Sequence, residues 1–229
     1  MYFQFAAAFL TIGFALFIAY VIVLFYSNSL LDKVNRNHFR NSFPYNFYMD
    51  DSIVLRVILY VLLGLSVLSA CVGESFFFIS LGGYGMLIAG GILLPLSLLF
   101  LAVSNILPLS FYKSHIVFAL LGFLSFCGSM ILLSVITPVV DPALNVEGLS
   151  IVSRIFFGVM GFASLLSLIN PKLMDWAKME KTEENGKSYY VKPKFNFLAM
   201  YEWIFLVEEF LVVFLCFINI ISSNLITLS

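Results

Sequence analysis

SFFFISLGGYGMLIAGGILLPLSLLFLAVSNILPLSFY, residues 75–112, is the stretch on which the fold turns. A hydrocarbon layer of ~30 Å needs ~20 apolar residues at ~1.5 Å rise per residue, so these 38 residues exceed one ordinary span. Two arrangements fit them. One is a single long tilted helix with an interfacial extension; the other is two short helices hinged at Gly90-Gly91 and Pro95.

Charge decides between them. The remaining apolar runs lie at about 3–26, 53–72, 115–138, 149–170 and 197–222. Each is too long for a strand and is bounded by polar or Pro/Gly-containing punctuation. With one span at 78–103, every Lys and Arg except Arg56 and Arg154 falls in the connections 27–52, 104–114 and 171–196. The opposite segments, 1–2, 73–74, 139–148 and 223–229, hold none. Splitting the third run would send Lys172, Lys178, Lys181, Lys187, Lys192 and Lys194 to the far side from Lys33, Arg36 and Arg40, against the positive-inside tendency. The expectation is an all-α polytopic membrane protein: one transmembrane domain over 1–229, a six-transmembrane-helix bundle, N-out and C-out. The three basic connections are then cytoplasmic, and the plasma membrane is the expected location.

Composition agrees. Apolar residues make up 62% of the chain and charged residues 11%, against ~45–50% and ~25% in soluble domains. A net charge of −1 leaves no basic face for nucleic acid, and the lipid bilayer is the expected partner. Cys71, Cys127 and Cys216 all lie in apolar runs, which argues against a disulfide framework. The first run carries no Lys or Arg, and Ala6-Ala7-Ala8 precedes most of it, the reverse of a cleavable signal, so 3–26 reads as a retained helix.

Element ends support these cuts. Asp50, Asp51 and Ser52 suit the start of the second helix, and Asn170-Pro171 suits the end of the fifth. Trp176, Trp203, Tyr45, Phe47, Tyr48 and Tyr201 fall where an interfacial aromatic belt would lie. Within 171–196, Glu184-Asn185-Gly186-Lys187 suits a tight turn of a small hairpin.

Small residues mark helix contacts. Gly82, Gly85 and Ala89 share one face of the third run; Gly158 and Gly161 in the fifth, with Gly122 and Ser125 in the fourth, offer matching flat surfaces.

The sharpest anomaly is Tyr201-Glu202-Trp203-Ile204-Phe205-Leu206-Val207-Glu208-Glu209-Phe210. Counted from Phe197, Glu208 and Glu209 lie ~17–18 Å into a ~30 Å core, near its midplane. One ionised carboxylate there costs ~2.5–3.5 kcal/mol. Glu202 and Glu209, seven apart, share a face, and Glu208 is turned by ~100°. Three explanations fit: hydrogen bonds to serines such as Ser125, Ser129, Ser164 or Ser167; contact with a partner subunit; or a site for protons, cations or a cationic substrate. Arg56 and Arg154, the basic residues within spans, start near opposite surfaces. His38 and His115 fall at the cytoplasmic interface near the depth of Glu202 and Asp175, a second candidate for acid–base chemistry.

No Gly-x-Ser-x-Gly, His-Glu-x-x-His or Cys-x-x-Cys occurs, so neither metal nor cofactor is expected and an enzymatic role is disfavoured. The six runs, the polar first cytoplasmic loop, His115 opening the fourth helix and Met200-Tyr201-Glu202-Trp203 opening the last resemble bacterial six-helix proteins grouped with the DRAM and Sfk-type membrane families. That resemblance implies membrane organisation and not a catalytic reaction. The expected role is a non-catalytic accessory subunit, with other membrane subunits as partners, or a membrane-organising component. The alternative is a transporter or channel using Glu208 and Glu209.

Overall fold

The computed structural model describes residues 2–30, 42, 44, 53–81, 84–107, 111–136, 147–170, 180–184, 187–191 and 196–226. Helices dominate. They are α1 (Tyr2–Leu30), α2 (Ile53–Leu81), the short α3 (Tyr84–Ile88), a π-helical turn (Ala89–Leu93), α4 (Leu94–Ile106), α5 (Tyr112–Ile136), α6 (Glu147–Leu168) and α7 (Phe197–Ile226). Between α6 and α7, β1 (Glu180–Glu184) and β2 (Lys187–Val191) pair antiparallel, from Glu180 opposite Val191 to Glu184 opposite Lys187. Two residues, Asn185-Gly186, link them, the composition that a tight hairpin loop favours.

Among the described residues, four stretches are long and apolar enough to cross a membrane: Tyr2–Ser29, Ile53–Leu81, Ala89–Ile106 and Lys113–Ile136. Their apolar side chains point outward as well as inward; Ile22, Val61, Leu124 and Val135 are all exposed. A soluble bundle would place polar residues at such positions, whereas lipid accepts apolar ones.

The second and third runs divide differently from the sequence expectation. Residues 73–74 are not a connection: α2 continues through them to Leu81, beyond the expected end at 72, and the third run is helical from Tyr84 to Ile106 instead of 78–103. The reason is burial. Glu74 looks like punctuation in an apolar sequence, but it points into the bundle with Cys71, Phe77 and Phe78, in step with α2's buried face. Gly73 beside it lets α1 and α2 cross closely. A Cβ there would lie 2.8 Å from the Leu10 amide nitrogen, and one on Gly13 would lie 2.8 Å from that of Ala70. The expected connection 104–114 shortens for the same reason, since Ser104 and Asn105 are buried in the last turn of α4.

The third run is broken but continuous. Proline at 95 lacks an N–H, and its ring would strike the carbonyl of Gly91 in a regular α-helix. The chain widens into a π turn instead, where Leu94 N–H donates to Ala89 O. Neighbouring helices satisfy the carbonyls around it. Ser75 of α2 donates to Gly91 O at 3.1 Å, Ser129 of α5 to Ala89 O at 2.6 Å, and the Cys71 thiol to Pro95 O at 3.4 Å. Gly90 is required here because a Cβ would overlap the Phe78 ring.

Helix α7 is the centre of the bundle, touching α1, α2, α4, α5 and α6. Asn196 caps its start by accepting the Ala199 N–H. Its buried positions among the described residues, 199, 202, 203, 205, 206, 209, 210, 212, 213 and 216, follow the helical repeat. Phe210 stacks on Phe17 of α1 with centroids 3.6 Å apart, and Phe205 stacks on Phe123 of α5 at 4.1 Å.

The small residues lie at close contacts. A Cβ on Gly161 would come within 2.9 Å of Met130 Cβ, joining α6 to α5; Gly122 faces Leu101 of α4; Gly158 is near Ser134, and Gly85 near Ile136. Ala89 is buried in the π turn, and Gly82 lies outside the described residues. Trp203 departs from the aromatic-belt expectation: it is buried in protein, its indole N–H donating to Ser42 O at 3.0 Å. Tyr201 is half-buried and bonded to Asn170, while Trp176, Tyr45, Phe47 and Tyr48 lie outside the described residues.

Candidate intramembrane carboxyl site

The central position of α7 turns its inward carboxylates into neighbours of four other helices. Glu209 faces Ser97, one turn past the π turn on α4, and the Ser97 hydroxyl donates a short hydrogen bond to Glu209 Oε1. Glu74 of α2, also buried, lies within electrostatic reach of Glu209. Glu74, Ser97 and Glu209 are each 0% exposed. Both oxygens of Glu74, and Oε2 of Glu209, have no hydrogen-bond partner among the described residues. Cys71 and Cys216 lie within electrostatic reach of Glu74.

Glu208 behaves differently, as a rotation of ~100° along a helix requires. It is half-buried, and Oε2 accepts a 3.0 Å hydrogen bond from Ser164 of α6. The adjacent glutamates thus serve different interfaces, Glu209 toward α2 and α4 and Glu208 toward α6. Of the serines expected as partners, Ser164 takes that role. Ser129 bonds Ala89 O, and Ser167 bonds Ala163 O in its own helix. Arg154 donates from Nε to Ser134 O at 2.7 Å.

One heptad before Glu209, Glu202 makes a second polar layer. Its Oε1 lies 2.9 Å from His115 Nε2, and His115 Nδ1 lies 2.7 Å from Ser104 O. A carbonyl only accepts, so Nδ1 carries a proton, and the contact to Glu202 is one shared proton between imidazole and carboxyl. Glu202 and His115 are 1% and 4% exposed, and Glu202 Oε2 has no partner among the described residues. The sequence brought His115 and Glu202 to a common depth; the structure joins them. His38 lies outside the described residues.

The two layers are in register. Ser97 and Ser104 are seven apart on α4, and Glu209 and Glu202 seven apart on α7, so antiparallel contact matches the pairs ~10.5 Å apart. Glu74 and Ser97 are the residues that sequence reasoning missed. For Glu74 a signal existed, the buried repeat 63, 66, 67, 70, 74, 77 continuing through it; for Ser97 none did.

The arrangement of Glu209, Glu74 and Ser97 can bind a proton or a small cation. Two desolvated carboxyls with no basic partner among the described residues carry a cost of several kcal/mol per ion, which a bound proton or cation removes. Among the described residues no group of three or more His, Cys, Asp or Glu is arranged to hold a metal ion. No family model, curated protein or solved structure matches the chain.

Proposed function

We propose that this protein is a six-span carrier or channel that binds and releases protons or small cations at Glu209, Glu74 and Ser97. The observation that carries the reading is Glu74, fully buried beside Glu209 with neither oxygen hydrogen-bonded among the described residues. A carboxyl held for packing alone would keep hydrogen-bond partners, since an unsatisfied buried polar group costs about 1–3 kcal/mol. The π turn adds support, because interrupted helices at membrane depth line binding sites and π turns recur at functional positions. For the six-span count, α6 and α7 supply 22 and 30 residues, ~33 and ~45 Å of helix against a ~30 Å core. The basic connections support N-out and C-out, and the plasma membrane is the expected location.

The test is flux in reconstituted vesicles carrying a pH or cation gradient. Wild-type protein should dissipate the gradient, and Glu209→Gln and Glu74→Gln should abolish this while the protein stays folded. Gradients unaffected by wild-type protein for protons and for small cations alike would sink the reading.

An accessory subunit or membrane-organising component is the second reading. The hydrogen bond from Ser164 to Glu208 favours it, since it ties a carboxylate into helix packing, as does the exposed Arg154 on α6, available to an acidic partner. Co-purification in mild detergent separates the two: a stoichiometric membrane partner lost on Arg154→Ala would favour assembly, and a monodisperse chain with flux would exclude it.

A further inference from the structure

Between the two polar layers α7 carries an aromatic side chain. Phe205 is three residues from Glu202 and four from Glu209, on their shared face of α7, and it is buried. Its ring stacks on Phe123 at 4.1 Å and meets Phe126 edge-on at 5.7 Å, both from α5. On α4, Leu98 and Leu101, both buried, fill the matching interval between Ser97 and Ser104. A proton does not cross ~10 Å of dry aromatic and aliphatic packing; it needs water or a chain of exchangeable groups.

We propose that His115 and Glu202 form a proton-exchange station feeding the midplane carboxyls, and that Phe205 with Phe123 and Phe126 is the hydrophobic gate between them. This rests on the proposed proton or cation site at Glu209 and Glu74. The station lies where α4 ends and α5 and α7 begin, the end of the bundle nearest the aqueous phase for these helices. In the closed arrangement the pair holds one shared proton on Nε2 or Oε1, with Nδ1 committed to Ser104 O. A second proton from water is accepted at Glu202 Oε2, which has no partner among the described residues, giving an imidazolium beside a protonated carboxyl. When Phe205 swings aside, water enters the gap and carries one proton to Glu209, leaving the pair with the proton it began with.

Among the described residues, few other charged groups lie at this end of the bundle. From α4 come Ser104 and Asn105, both neutral; from α7 comes Glu202, while the next phenol along, Tyr201, is bonded to Asn170 at the end of α6. On α5 itself Lys113 is exposed. The described part of α6 brings no charged side chain to this end, Arg154 lying toward the other.

The experiment is proton flux in vesicles for wild type, Glu202→Gln, His115→Ala, Phe205→Ala and Glu209→Gln, each checked for folding by size-exclusion chromatography. Glu202→Gln keeps a hydrogen bond to His115 but cannot pass a proton, so flux should fall about 100-fold, the lower range for a positioned proton donor. His115→Ala should fall similarly and recover with added imidazole, which fills the vacated space and restores an exchangeable group. Phe205→Ala should raise passive flux by removing the barrier. If Glu202→Gln and His115→Ala fold and run at the wild-type rate while Glu209→Gln is inactive, the station is overturned and the midplane site stands. If Glu209→Gln runs at the wild-type rate, both are overturned.

Discussion

Replacing Glu74 by methionine should make this protein more stable. The Glu74 side chain is 0% exposed and neither oxygen finds a hydrogen bond among the described residues, so the folded state carries the penalty of an unsatisfied buried polar group, about 1–3 kcal/mol. Methionine has similar length and volume, and volume-conserving changes usually cost less than ~1.5 kcal/mol. The net expectation is a gain of about 1 kcal/mol. For a chain of this size that raises Tm by ~2–4 °C. The readout is built in: Cys71, Cys127 and Cys216 are all buried and free, so a thiol-reactive fluorophore labels them only as the bundle opens. Glu202→Met is the contrasting control. It strips the 2.9 Å partner from a buried imidazole and should lower Tm, with a loss of about 1.5–3 kcal/mol. Run in cation-free buffer, a lower Tm for Glu74→Met would refute the reasoning, because it would mean that the carboxyl oxygens are held by something the fold needs. A more stable Glu74→Met without flux would be the stability cost that binding sites commonly carry.

The other expectations concern packing and topology. Gly73→Leu should lose at least ~1–3 kcal/mol by forcing α1 from α2, since its first carbon alone would lie 2.8 Å from the Leu10 amide; a wild-type Tm would disprove so close a crossing. Ser75→Ala should cost about 1–3 kcal/mol by orphaning the Gly91 carbonyl, whereas Ser80→Ala, which removes only a bond to Phe77 O in its own helix, should be near neutral in the same thermal assay. Reporter tags at 185 and 229 should fall on opposite sides of the membrane; protection of both from one side would break the six-span topology.

How much of this was legible in the sequence follows the range of each interaction. The split roles of Glu208 and Glu209, and the shared face of Glu202 and Glu209, come from helical periodicity alone, and the contacts with Ser164, Ser97 and His115 respect it. The boundary at residues 73–74 was misjudged because Gly73-Glu74-Ser75 has the composition of a turn. What keeps it helical is α1 packed on Gly73 and the π turn bonded to Ser75, neither of them local. Ser97 and Glu209 are 112 residues apart, and no periodicity announces such a pair. The break at Gly90-Gly91 and Pro95 was visible as a hinge, but its form, a π turn whose carbonyls are satisfied by α2 and α5, depends on neighbours the local sequence does not specify.

The central claim is that Glu74 and Glu209 exchange a proton or cation with the aqueous phase despite their burial. Infrared difference spectroscopy of the protein in lipid vesicles, taken between acid and alkaline buffer, reads this directly through the C=O stretch of protonated carboxyls. The expected band appears with acid, weakens in Glu74→Gln and in Glu209→Gln, and loses this pair's contribution in the double variant. A wild-type spectrum with no carboxyl band that responds to pH, or one unchanged in the double variant, would contradict it.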